Sequence, residues 1–160
     1  MQLKNIHEIN APASAVWEVM GERFADIGDW SDTVLESSLD GPLAKGSTRT
    51  CRLKPTPAGL DTIQETITAF DRDRQHFAFD IVTGLPGFMR RVSSAWTIEA
   101  IGDNRTRAIN VLTIEVAWWM APMLPLIGRQ FRNTIRLFIG EIEAAALRPM
   151  SAVEARVAAV

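Results

Sequence analysis

The sequence predicts an α+β domain, in which one strand and two short helices precede about six antiparallel strands and a long C-terminal helix. Three observations predict it. Between Thr33 and Val116, apolar side chains recur at alternate positions in runs separated by Gly, Pro, Asn and Asp. From Pro125 to Leu147 the period changes, and Phe131, Ile135, Phe138 and Ile142 fall on one helical face. Within the strand DTIQETITAFD (Asp61–Asp71), a carboxylate interrupts an apolar row, because Ile63, Glu65, Ile67 and Ala69 share one side. A carboxylate on a buried face needs a cation, a water-filled hollow or a polar ligand. The sheet is therefore expected to curve over a partly polar internal cavity.

Gln2 to Asn10 reads as the first strand, with Leu3, Ile6 and Ile9 as its apolar positions. Ala11-Pro12 ends it, and Pro12 suits the first turn of a helix from Ala13 to Gly21 that buries Val16, Trp17, Val19 and Met20. A second short helix covers Arg23 to Ile27, and Gly28 to Asp32 reads as a loop. Strands follow over Thr33–Leu39, Ser47–Leu53, Asp61–Asp71, His76–Val82, Arg90–Ala100 and Arg105–Val116. Pro55, Pro57 and Gly59 mark one loop, and Gly84-Leu85-Pro86-Gly87 another. In the strand from Arg90, Val92, Ser94, Trp96 and Ile98 form the more apolar side and point inward. Pro149 stops the long helix, so residues 1–148 are expected to form one domain and 149–160 a mobile or loosely docked tail.

Composition narrows the function. Apolar content of 47% and charged content of 22% fit a globular chain rather than a disordered one. A net charge of −2 with mixed signs gives no pull toward nucleic acid. The single cysteine, Cys51, excludes an intramolecular disulfide and reads as a small buried apolar residue. His7 and His76 share no spacing and read as surface residues, and neither a metal nor a cofactor is expected. No phosphate loop, dinucleotide fingerprint or nucleophile elbow occurs. The opening residues lack the pattern of a secretory signal, and the apolar run Trp118–Ile127 is too short for a transmembrane segment. A cytoplasmic protein is the expectation.

Glu65 is the leading site residue. It could act as a general acid or base, accept from a ligand hydroxyl, or pair structurally with Arg49 or Arg52. Arg49 shares its side of the strand with Cys51 and Leu53, so it too can point inward. Phe79, Val92, Trp96, Phe131, Ile135 and Phe138 are expected to wall the cavity, with Ser94 adding a polar group. Arg90 sits either at the cavity mouth or solvated at a strand end. Trp118, Trp119, Met120, Met123 and Leu124 either close one end of the cavity or form an exposed apolar patch. Such a patch would meet a second subunit, as in a homodimer, or a membrane surface.

Two phrases carry a family resemblance. One is Ile9-Asn10-Ala11-Pro12 followed by Val16-Trp17; the other is Gly46-Ser47-Thr48-Arg49, then Glu65-Thr66-Ile67, Phe70-Asp71, Phe79 and Gly84-Leu85-Pro86. With the order of elements, they resemble the SRPBCC superfamily over about residues 3 to 147. That superfamily includes START lipid-transfer domains, birch-pollen-type allergens, polyketide cyclase/dehydratase-like proteins and plant abscisic-acid receptors. The second phrase looks like the cyclase-like and receptor branches. The resemblance implies a helix-grip fold, a seven-stranded antiparallel sheet around the long helix with an elongated cavity between them. In the receptors a Glu at the position of Glu65 lines the pocket, and loops matching Pro55–Leu60 and Thr83–Phe88 flank its mouth. This chain lacks the receptors' gate and latch residues and their pocket lysine, so hormone sensing is not expected.

The function these readings favour is binding or transport of a small hydrophobic or aromatic ligand in the cavity. The alternatives are a polyketide cyclase/dehydratase-like enzyme with Glu65 as acid or base, and an interaction module built on Trp118–Leu124.

Overall fold

The computed structural model describes residues 1–55 and 59–148. Thr56-Pro57-Ala58, inside the first flanking loop, and the tail from Pro149 lie outside the described residues. Strand β1 (Gln2–Ile9) leads into α1 (Ala13–Trp17), which widens into a π-helical turn over Glu18–Glu22. A 3-10 helix over Phe24–Asp29 follows, starting one residue later and ending two residues later than the sequence pattern indicates. Then come β2 (Val34–Asp40), β3 (Thr48–Leu53), β4 (Thr62–Asp71), β5 (His76–Thr83), β6 (Met89–Gly102) and β7 (Arg105–Val116). A 3-10 helix over Trp118–Met123 passes directly into α2 (Leu124–Ala146), with Pro125 in its first turn.

The seven strands form one antiparallel sheet in the order β1-β7-β6-β5-β4-β3-β2. From β2 to β7 each strand pairs with the next, while β1 joins on the far side of β7. The buried stripe of α2 is Ile135, Ile139, Ile142 and Ala145. Full burial of one isoleucine contributes about 1.5–3 kcal/mol, so this stripe holds the helix in the grip of the sheet. Phe131 and Phe138 flank it, half-buried. The inward phase of β6 is Val92, Ser94, Trp96 and Ile98, as the alternation indicates.

Three local features depart from the simple pattern. In β1, strict alternation turns Asn5 inward and leaves Ile6 55% exposed. Asn5 is tolerated there because it is paired: its Nδ2 donates to Asn110 Oδ1 (3.2 Å), and Asn110 Nδ2 donates to Ser94 Oγ (2.9 Å). In β4, a register shift between Ile67 and Ala69 changes the phase, so Phe70 packs on Trp17 (ring centroids 5.6 Å apart) in place of Ala69. His7 is half-buried rather than superficial, and burial followed by the Arg136 charge lowers its pKa.

Two glycines are required by close approach. The Trp17 indole covers Gly21, where a β-carbon would lie 2.7 Å from the ring. Gly84 has φ of +88°, and a β-carbon there would collide with the Thr62 carbonyl oxygen.

Candidate functional site

The site begins with two adjacent strands. Arg49 on β3 and Glu65 on β4 are direct cross-strand partners, so both side chains leave the same face. Both are buried, at 4% and 5% exposure. Arg49 donates from Nε (2.8 Å) and Nη2 (2.5 Å) to a single oxygen, Oε2 of Glu65. Its Nη1 donates to the Phe24 carbonyl (2.5 Å), and the guanidinium lies 3.6 Å over the Phe24 ring. Arg52, the other sequence candidate, leaves the opposite face and pairs with exposed Glu36 (2.8 Å).

Aromatic rings enclose the Arg49 head. Phe24 meets Phe77 edge-on and Phe79 at a tilt, each with centroids 5.8 Å apart, while Trp30 and Trp96 both approach Phe138 (5.3 and 6.2 Å). These groups line a cavity with Met20, Ile27 and Arg49. Its volume is about 30 Å³, room for about one or two water molecules. The elongated cavity expected from the sequence is thus closed down in this conformation. The cause is the α1–β2 segment, which sends Met20, Phe24, Ile27 and Trp30 into the space beneath the sheet.

The expected site residues divide accordingly. Arg49, Phe79, Trp96 and Phe138 line the cavity. Glu65 does not; it stands behind Arg49 as its counter-ion. Ser94 accepts from Asn110, and Val92 and Ile135 are packed core. Phe131 packs against that core, half-buried. Arg90 is the extra residue of a bulge between Met89 and Arg91, is exposed, and forms no ion pair with a described residue. Met20, Phe24, Ile27, Trp30 and Phe77 line the cavity without having been singled out as site residues. Trp30 carried one usable signal, a large aromatic between the acids Asp29 and Asp32.

Trp118 and Trp119 do not close the cavity; they are 87% and 57% exposed. Cys51 lies 3.9 Å from Glu65 Oε2, and burial pushes its thiol up to about 11, so it stays protonated at neutral pH. Among the described residues, no group of three or more His, Cys, Asp or Glu is placed to hold a metal, and no helix is long and apolar enough to cross a membrane.

A profile of the family described as polyketide cyclase/dehydrase and lipid transport matches residues 3–148. The chain belongs to that family, within the SRPBCC superfamily. Solved structures share its helix-grip fold. Ara h 8.0201 superposes with a TM-score of 0.78 at 12% identity, over 93% of this chain and 99% of that one. Norcoclaurine synthase from Thalictrum flavum, in complex with dopamine and hydroxybenzaldehyde, gives 0.72 at 14%, over 92% and 86%. An uncharacterised protein from Bacillus thuringiensis gives 0.70 at 17%, over 92% and 99%. A search of curated protein sequences finds no match.

For a cyclase/lipid-transport family member, the pair makes a definite energetic statement. Removing one partner of a buried ion pair leaves a bare charge, whereas replacing both with apolar residues is often neutral. Glu65→Gln is expected to cost about 3–5 kcal/mol in urea unfolding, and Arg49→Met/Glu65→Leu to recover most of it. Equal, small losses for single and double variants would show that the pair is not buried as described.

Proposed function

We propose that this domain binds a small hydrophobic or aromatic molecule between the sheet and α2, with Arg49 orienting its polar end. The observation that carries the reading is the aromatic-walled cavity into which one buried cationic head is presented. Family membership supports it, and so does the aromatic complex of the norcoclaurine synthase neighbour, as an analogy of fold. A ligand larger than water requires the walls to move, since about 30 Å³ is far below the roughly 300 Å³ of small ligand sites. The enzyme reading draws less support, because Glu65, its proposed acid or base, is engaged by Arg49 rather than turned to the cavity. Thermal unfolding against a panel of aromatic and apolar compounds tests the proposal. A ligand at about 100 times its Kd adds about 2.7 kcal/mol, a rise of roughly 5–10 °C in Tm for a domain of this size. No shift with any compound overturns the binding reading.

A second reading rests on a separate observation. Trp118, Trp119, Met123 and Leu126 are exposed together where the chain enters α2. From Val116 to Gly140 there is no acid, while Arg129, Arg132 and Arg136 are all exposed. Exposed tryptophans beside uncompensated arginines fit an anionic membrane surface, with the rings at headgroup level. Sedimentation with phosphatidylglycerol vesicles is expected to carry the protein down. Trp118→Ser/Trp119→Ser is expected to weaken this about tenfold, with little binding to phosphatidylcholine. Unchanged sedimentation of the double variant overturns the membrane reading, as does its loss of self-association in place of vesicle binding.

A further inference from the structure

The polar equipment of the cavity has one direction. Trp30 is 93% buried, and its indole Nε1–H has no hydrogen-bond partner among the described residues. Leaving such a donor unanswered costs on the order of 1–3 kcal/mol. Arg49 has five N–H donors, of which three are used: two on Glu65 and one on Phe24. One N–H on each terminal nitrogen is left without a described protein partner. Trp30 and Arg49 line the same small space, and no side-chain oxygen lines it with them. Its other walls are Met20, Ile27 and the rings of Phe24, Phe77, Phe79, Trp96 and Phe138.

We infer that the cavity selects ligands by a neutral acceptor oxygen, a carbonyl on an apolar or aromatic body, held by Trp30 Nε1–H and the free N–H groups of Arg49. The inference rests on the ligand-binding reading above and reverses the expectation that Glu65 would accept from a ligand hydroxyl. Neutrality follows from the pair. Glu65 already balances the Arg49 charge, so an anionic ligand would bury a net negative charge, while a carbonyl would not. A ligand hydroxyl acting as donor finds no side-chain oxygen among the lining residues to accept from it. The oxygen takes the place that fits a single water, and the body follows by displacing a wall. Phe138 is the wall suited to this, being half-buried on α2, at the margin of the core and in ring contact with Trp30 and Trp96. Ser31, next to Trp30, donates to Glu141 on α2 (2.8 Å) and ties the indole segment to the helix when Phe138 moves.

Three probes of similar size test the inference by calorimetric titration of the full chain: acetophenone, α-methylstyrene (the same shape without the oxygen) and benzoate. Each is titrated into the wild type and into Phe138→Ala, which enlarges the cavity. Acetophenone is expected to bind about tenfold tighter than α-methylstyrene and tighter than benzoate, the preference that one satisfied buried donor supplies. Trp30→Phe is expected to cut that preference to about threefold while leaving α-methylstyrene affinity within about twofold. In the wild type, where no substitution can disturb folding, the Trp30 Nε1–H resonance is expected to shift downfield with acetophenone and not with α-methylstyrene. Equal affinities, benzoate as the tightest probe, a preference unchanged in Trp30→Phe, or an unmoved indole resonance would each overturn the inference while leaving ligand binding intact. No binding of any probe by either protein would overturn the binding reading as well.

Discussion

A guanidinium placed under a sheet must be answered, and Arg49 shows how this fold answers it. A full carboxylate meets it across one strand, a carbonyl caps it, and an aromatic face covers it. Each element of the grip supplies one of those parts. The β3–β4 register brings Glu65 opposite, the 3-10 helix brings Phe24 and its carbonyl, and β5 brings Phe79, whose ring centroid lies 5.9 Å from the guanidinium carbon. A pair of this kind adds little net stability over an apolar pair of the same volume. What it adds is an oriented set of donors in a place that hydrocarbon would otherwise fill.

That arrangement explains why the interior is tight and still polar. Met20, Phe24, Ile27 and Trp30 come from the segment between β1 and β2 and descend onto the inner face. They close the space to about the size of a water molecule and leave Arg49 and the Trp30 indole facing into it. Opening it to a ligand requires one of these walls to move. The exposed tryptophans lie just before the helix that carries Phe138.

Much of this was legible in the sequence, for identifiable reasons. Strand parity put Arg49 and Glu65 on inner faces, since the period of two decides facing once strands are paired. The same parity placed Val92, Ser94, Trp96 and Ile98 correctly. It could not choose between Arg49 and Arg52 as the partner of Glu65 without the register. It also could not show Asn5 turned inward, because a buried Asn is acceptable only when its partner, Asn110, lies 105 positions away in the chain. The shift at Ile67–Ala69 has no signature in composition, so Phe70 was hidden. The size of the cavity was beyond reach, because it depends on how side chains of an irregular segment pack, and Trp30 in a polar run resembled a loop residue.

The most direct test of the central claim is a heteronuclear NMR measurement of side-chain hydrogen exchange at neutral pH. If Arg49 is held by Glu65 beneath the sheet, its Nε–H gives a resolved resonance that persists after transfer to deuterated water, long after those of exposed Arg52 and Arg91 have gone. An Arg49 Nε–H that exchanges as fast as theirs would mean that no buried pair organises this interior.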